Sequence, residues 1–436
     1  MPWRQKRLLI VTARKCRRMR LVDTIHTVAL TALLADRLLD VVERKLVGDH
    51  ALLVDGTRIE AVLPVERVPV DAGRIELPGH TLLPGLIDVH THLVGQVDDG
   101  QGYAGLVTRS GAQEALLGVK HAAQTLRAGF TTVRDIGSFR AFADVALRDA
   151  IDGGWVEGPR MMCAGAYLTC PGGGGDITGL AVDVEVPREL RFGVTVGENQ
   201  MRSNVRQVLA NGADFIKVIA TGAVLTAGTN PGAPEFTEAE IRAAVEEAAA
   251  RGTFVAAHAH GAEGIKRAVR AGARSIEHGS LMDDEAIELM VGHDVYLVAD
   301  LYDSDYIAEK GPSLGYSEEV MRKADATTDS QRVGFRKCVE AGVKLAFGTD
   351  AGVFPHGINA RQFLRYVKYG LSEIAAIRSA TLWAAELMGW QGRVGALQPG
   401  CWADVIAVRG NPLEDIGLLE SVQFVMKDGV VVKNEV

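Results

Sequence analysis

The sequence predicts an α/β chain, a (β/α)8 TIM barrel with a small β-sandwich module formed by its N- and C-terminal flanks. Three observations predict it. Across residues 86 to 350, eight short apolar segments alternate with helical patterns, which favours a closed parallel barrel over an open doubly wound sheet. Three strand entries share one joint, Ala128-Gly129-Phe130, Asn211-Gly212-Ala213-Asp214 and Ala271-Gly272-Ala273, in which a glycine closes the preceding helix. On either side of this stretch the chain has the short strands and tight turns of an all-β module.

Taken in order, residues 1–26 form a basic extension that includes Arg4, Lys6, Arg7, Arg14, Lys15, Arg17, Arg18 and Arg20. It is expected to be disordered. Its apolar run, residues 8–11, is shorter than the roughly 7 to 15 residues of a secretory signal core, and Met19 offers a second start. Residues 27–82 give antiparallel strands at 28–34, 51–54, 58–62 and 74–77, with Asp55-Gly56 as a hairpin turn. Together with residues 391–436, where Gly400 to Val408, Val422 to Met426 and Val430 to Lys433 return to β patterning, they make the small domain.

The barrel is expected over 83–390, with strands at 86–92, 131–136, 161–167, 214–220, 253–260, 275–278, 295–300 and 344–350. Thr237-Glu238-Ala239-Glu240 is a capping box, and Ser372 precedes a helix-periodic run that extends to Met388. The glycine-rich stretch 169–176 lacks the lysine and spacing of a phosphate-binding loop and is expected to be a mobile pocket wall. Long loops at 222–234 and 302–316 are expected to act as lids.

Composition narrows the function classes. With 47% hydrophobic residues in 436, the chain can bury a large core. A net charge of -8 argues against nucleic acid, which needs a dominant basic face. Five cysteines, odd in number and widely spaced, argue against a disulfide framework and for a reducing cytoplasm. No apolar run reaches the roughly 20 residues that cross a membrane.

The chemistry gathers at strand ends. His90 and His92 sit two apart at the end of a buried strand, so both imidazoles point the same way, which is half of a metal site. Lys217 lies inside Phe215-Ile216-Lys217-Val218-Ile219, where an unpaired ammonium is costly, so it is either a salt-bridged structural lysine or one that is chemically altered or functional. His258, His260, His278 and Asp350 each have a bland alternative, as core histidines or as a loop cap. In a barrel, however, strands one, four, five, six and eight deliver these groups to one rim, the face where barrel active sites form.

These motifs carry a resemblance. Pro84-Gly85-Leu86-Ile87-Asp88-Val89-His90-Thr91-His92, the strand lysine, His258-Ala259-His260-Gly261, Ile276-Glu277-His278-Gly279 and Gly348-Thr349-Asp350-Ala351-Gly352 resemble the amidohydrolase superfamily in its binuclear form. The similarity is to its imidazolonepropionase-related dipeptidase and carboxypeptidase branch, prolidase-like enzymes and ochratoxin-hydrolysing amidases included, and it spans roughly residues 27 to 436.

The resemblance implies two divalent metal ions, zinc first among them. It implies that His90, His92 and Asp350 hold one ion, that His258 and His278 hold the other, and that Lys217, carboxylated by carbon dioxide, bridges them. Asp350 is then the general acid-base, and His260 stabilises the oxyanion or binds the substrate carboxylate. The implied reaction is hydrolysis of the amide bond of a dipeptide or N-acyl amino acid with a free C-terminal carboxylate, by a homo-oligomer with no nucleic-acid or membrane partner. Arg134, Arg191 and Arg361 are the cationic candidates for that carboxylate. A cyclic-amide hydrolase or deaminase on the same frame is the enzymatic alternative, disfavoured by Lys217, and a non-catalytic binding barrel is the other, disfavoured by the full ligand set.

Overall fold

The computed structural model describes residues 30–95 and 104–436; the basic extension lies outside the described residues. Both flanks contribute to one eight-stranded sheet. The N-terminal flank supplies β1 (Thr31–Asp40), β2 (Lys45–Val47), β3 (His50–Asp55), β4 (Arg58–Pro64) and β5 (Gly73–Pro84). The Asp55-Gly56 turn joins β3 to β4 as expected, with Gly56 at φ 55° and Asp55 opposite Arg58.

One pairing differs from the antiparallel expectation. β1 and β5 run parallel, from Thr31 opposite Gly73 to Leu38 opposite Leu82. β3 already occupies one edge of β1, so the chain crosses from β4 through a 3-10 turn at Val65–Arg67 and takes the free edge. Alternate side chains of these strands fall into two buried clusters, one with Leu33, Leu52, Ile59 and Leu82, the other with Ala32, Ala51 and Leu53.

β5 runs through Gly85 directly into the parallel strands. These are β6 (Leu86–Thr91), β7 (Phe130–Asp135), β8 (Arg160–Cys163), β9 (Tyr167–Leu168), β10 (Ile216–Ile219), β11 (Val255–Gly261), β12 (Ser275–Leu281), β13 (Tyr296–Val298) and β14 (Lys344–Leu345). They form two ladders, β6-β7-β8 and β9 to β14 in sequence order. The predicted third strand is thus split into β8 and β9. Gly165, at φ 75°, turns the chain between them, where its amide bonds the Asp144 carboxylate at 2.8 Å.

The predicted eighth strand continues past its two ladder residues and lies along β6. Val89 donates its amide to Phe347 O at 2.9 Å, Asp350 to His90 O at 2.8 Å and His92 to Ala351 O at 2.8 Å. The C-terminal flank then adds β15 (Val405–Arg409), β16 (Phe424–Lys427) and β17 (Val430–Asn434), with β15 antiparallel to β5.

The helix signals are mostly realised. Thr237 caps Glu238–Ala249 with a reciprocal capping box, and Gly129, Gly212 and Gly272 all adopt the left-handed conformation at φ 95–99°. Two expectations need correction. The run after Ser372 breaks into Glu373–Ser379 and Leu382–Leu387, because strand amides take its carbonyls: Phe347 N bonds Ser379 O at 3.0 Å and Ile87 N bonds Ala380 O at 2.7 Å. Residues 302–316 are not a loop but mainly the helix Leu301–Leu314, ended by Gly315 at φ 77°. No helix among the described residues is long and apolar enough to cross a membrane.

Candidate metal centre

The strand-end residues do meet. His90 is the penultimate residue of β6 and His92 follows the strand; Lys217 is in β10, His258 and His260 in β11, His278 in β12, and Asp350 beyond β14. All line one cavity of about 370 Å³. His278 and Asp350 are non-glycine residues held in left-handed conformations, φ 69° and 58°. Such backbone costs of order 1–3 kcal/mol and persists where the surroundings impose it, commonly at functional sites.

Each imidazole is oriented by a fixed partner. His92 Nδ1 lies 2.7 Å from Gly137 O, and a carbonyl only accepts, so Nδ1 carries the proton and Nε2 keeps its lone pair. His90 Nδ1 donates to Glu277 at 3.0 Å and His278 Nδ1 to Asp300 at 2.5 Å, the carboxylate-histidine arrangement that supports metal ligands. His258 is turned the other way, its Nε2 facing Gly222 O at 3.3 Å, which leaves Nδ1 for the cavity. His260 Nδ1 is bonded to Ser280 Oγ at 2.8 Å.

The inward atoms converge with nothing to bond. His92 Nε2 and His90 Nε2 lie 3.1 and 3.4 Å from Asp350 Oδ1, yet that buried oxygen makes no hydrogen bond. Two ring nitrogens and a carboxylate oxygen packed around one buried point, with no hydrogen bond among them, fit a cation. Within 4.8 Å of one another lie one ligand atom each from His90, His92 and Asp350, from His258, His260 and His278, and from His278, Asp300 and Asp350. Imidazole and carboxylate in this ratio suit zinc and other first-row divalent ions.

Electrostatics point the same way. Burial and the neighbouring His278 and His260 push the His258 imidazole well below its usual range, and burial with His278 brings His260 down to about 3, so both are neutral ligand-type imidazoles. Burial would raise the Asp350 carboxyl, but His90 and His92 hold it well below the usual range; burial and the Lys217 charge would lower His90, but Asp350 and Glu277 raise it to about 9, so this side of the cavity favours positive charge. Lys217 is buried and no hydrogen bond or ion pair reaches its amine among the described residues; burial pulls it down to about 8.

Three groups that sequence reasoning left without a role complete the centre. Glu277 bridges His90 to Arg134, whose guanidinium is fully buried and also bonds Val89 O and Ser275. Asp300 holds His278. Asp88 accepts from Thr349 Oγ1 at 2.6 Å and Asn359 at 2.8 Å and so fixes the segment that carries Asp350. The signal for Asp88 and Glu277 is a carboxylate inside an apolar strand beside a histidine, Ile87-Asp88-Val89-His90 and Ile276-Glu277-His278.

The cationic candidates fare differently. Arg134 lies beneath the site, Arg191 spends its guanidinium on Asp176 at 2.6 and 2.8 Å, and Arg361 bonds Tyr302 and faces Glu420; none of the three lines the cavity. Arg109 and Arg140 do line it. Gly174 and Gly175 of the glycine-rich stretch form wall, as do residues 223–227.

Comparison with known proteins agrees with this geometry. The amidohydrolase family model matches residues 81–433. Ochratoxinase of Aspergillus niger is 34% identical over 371 residues, which cover 81% of this chain and 75% of that protein. A Xaa-Pro dipeptidase crystallised with methionine in its active site superposes with a TM-score of 0.87 at 38% identity, covering 93% of this chain and 100% of the other. A prolidase in complex with N-methylphosphonate-L-proline gives 0.85 at 34% identity, with the same coverage of each chain.

Proposed function

The chain belongs to the amidohydrolase family, and from that premise we propose that it hydrolyses the amide bond of a dipeptide or N-acyl amino acid bearing a free C-terminal carboxylate. The observation that carries this reading is the convergence of His90, His92 and Asp350 beside the His258, His260 and His278 group in one cavity. Amide hydrolases of this build include ochratoxinase and prolidase relatives.

In this reading His90, His92 and Asp350 would hold one divalent ion, His258 and His278 would hold a second, and Lys217, carboxylated, would serve as a ligand to both. Zinc is the expected metal. When bound, the pair supplies a water of lowered pKa and polarises the scissile carbonyl. A lowered lysine pKa supports the carboxylation, because only the neutral amine adds carbon dioxide. Asp350 takes the proton released from the attacking water and delivers it to the departing nitrogen, since an amide anion is a poor leaving group. His260, fixed through Nδ1 by Ser280, presents Nε2 to the oxyanion.

The finer architecture is part of the same proposal. The parallel strands close as one (β/α)8 barrel over 83–390, a reading supported by the amides that β6 exchanges with 347–351. We read residues 27–82 and 391–436 as the small β-sandwich domain; the β5 to β15 pairing supports their being one unit. We further read the chain as a cytoplasmic homo-oligomer; the free thiols of Cys163, Cys170, Cys338 and Cys401 support a reducing compartment, and mass in solution tests the assembly.

The test is metal content per chain in protein purified without chelator, together with hydrolysis of a panel of dipeptides and N-acyl amino acids. About two ions per chain, with activity lost in Lys217→Ala, is the expected result. One ion or none, with no hydrolysis across the panel, overturns the reading in favour of the deaminase or binding-protein alternatives.

A further inference from the structure

We infer that Arg140 is the anchor for the substrate's free carboxylate, an inference that rests on the amide-hydrolase reading above. An anionic substrate end needs a fixed cation on the cavity wall. Of the basic side chains lining the cavity, Lys217 belongs to the metal centre, which leaves Arg109 and Arg140.

Arg140 is built to bind and not only to pack. Its Nε donates to Glu114 Oε2 at 2.9 Å, and its Nη2 donates to Leu106 O at 3.0 Å and Arg109 O at 3.4 Å. These bonds fix the plane of the guanidinium from one side. A guanidinium has five N–H donors, and the two on Nη1 make no bond among the described residues. The Arg140 side chain retains 18% of its exposure and lines the cavity together with Glu114, which is almost fully buried. An Nη1 donor on a locked guanidinium holds a carboxylate oxygen in a more fixed place than a mobile ammonium does.

Its position suits the role. Gly137, whose carbonyl fixes His92, lies three residues before Arg140, so the two are tied by at most about 11 Å of backbone. Ser138 and Phe139, between them, also line the cavity. The loop that orients a metal ligand therefore also sets the distance from the scissile bond to the anion anchor, which is how a hydrolase of this design selects amides next to a carboxylate.

The experiment compares a dipeptide with its C-terminal amide, for example Ala-Phe with Ala-Phe-NH2, in zinc-loaded wild type and in Arg140→Met. A charge-assisted bond to a carboxylate makes wild type prefer the free acid by about 100-fold in kcat/KM. In Arg140→Met that ratio collapses to within about threefold of unity, and the loss appears in KM for the acid. If Arg140→Met does not fold, Arg140→Lys, which keeps the charge without the fork, must lower the ratio by about tenfold. A variant that keeps the wild-type ratio overturns the assignment and moves the anchor to Arg109. Wild type that hydrolyses acid and amide equally also overturns it while leaving the amide-hydrolase reading intact; wild type that hydrolyses neither these nor N-acyl amino acids refutes that reading instead.

Discussion

Glu277 ties His90 to Arg134: one carboxylate oxygen accepts from His90 Nδ1 at 3.0 Å and the other from Arg134 Nη2 at 2.7 Å, all three groups being buried. The link has two consequences, one for the metal and one for the fold. It fixes the tautomer that turns His90 Nε2 inward, and it neutralises a guanidinium with no access to water.

Replacing Glu277 by Gln should therefore separate those consequences. The amide oxygen can still accept one hydrogen bond, but the charge that offsets Arg134 is gone. Metal affinity is expected to fall about 10- to 100-fold, read by zinc titration against a chromophoric chelator. Stability is expected to drop by roughly 3 kcal/mol or more in urea unfolding, because the buried guanidinium loses its counter-charge. Unchanged affinity and stability together would show that His90 is oriented without Glu277.

Chelation should destabilise the whole chain and not only inactivate it. The proposed ligands come from β6 and the residue after it, β10, β11, β12 and the segment after β14, so a bound ion would tie together elements far apart in sequence. An ion that binds the folded chain alone, present at about a thousandfold over its Kd, stabilises by about 4 kcal/mol. Melting protein before and after dialysis against a chelator, then after adding zinc back, is expected to show a lowered and then restored midpoint. A midpoint indifferent to chelator would mean that the histidines and Asp350 hold nothing.

How much of this was legible beforehand depends on how far a residue's reason lies from it in sequence. His90, His92, Lys217, His258, His278 and Asp350 were visible because each is a polar group in an apolar strand or at its end, an anomaly within five residues. Glu277 carries the same local anomaly, but its role was not legible, because the histidine it serves is 187 positions away. The cationic candidates met the same limit: Arg134, Arg191 and Arg361 each have an acidic or hydroxyl partner that only folding reveals, and Arg140, proposed in their place, stands out only once Glu114 and two carbonyls are seen to hold it. Strand order in the parallel region followed from the repeating unit. The parallel β1–β5 pairing did not, since it depends on which edge of β1 stays free.

A pH effect is expected from Glu235, which holds the glycine-rich wall by accepting from Gly174 N at 2.9 Å. Burial raises its carboxyl from 4.5 to about 7, with the Gly174 bond opposing the rise. A raised acid pKa means the folded chain binds the proton more tightly than the unfolded chain. The stabilisation is complete below about 4.5 and is lost as pH climbs towards 7. Because Glu235 is only half-buried, the loss should be on the order of 1–2 kcal/mol after allowance for solvent screening. Urea midpoints of wild type and Glu235→Gln, compared at pH 4.5 and pH 8, should diverge by that amount, with the variant relatively more stable at the higher pH. Parallel curves would mean that Glu235 titrates as an ordinary exposed carboxylate.

Two glycine-to-alanine changes should have opposite outcomes, for reasons visible in their surroundings. A Cβ on Gly348 would stand 2.2 Å from Val298 Cγ1 and 2.8 Å from His90 Cβ, between the strand that carries Asp350 and the one that carries His90. Both contacts are to short side chains close to their strands' backbones, one of them that of the proposed ligand His90, so Gly348→Ala is expected to cost about 2 kcal/mol or more and to weaken zinc binding with it. Gly292, at the end of the helix Asp284–Gly292, would meet nothing within 4 Å, and its φ is not positive. There alanine should be neutral or stabilise by up to about 1 kcal/mol, by lowering the freedom of the unfolded chain and favouring helix. Urea unfolding of both variants with and without zinc makes the comparison. If Gly348→Ala binds zinc as tightly as Gly292→Ala, the close approach of the two strands is not what holds His90 and Asp350 in register.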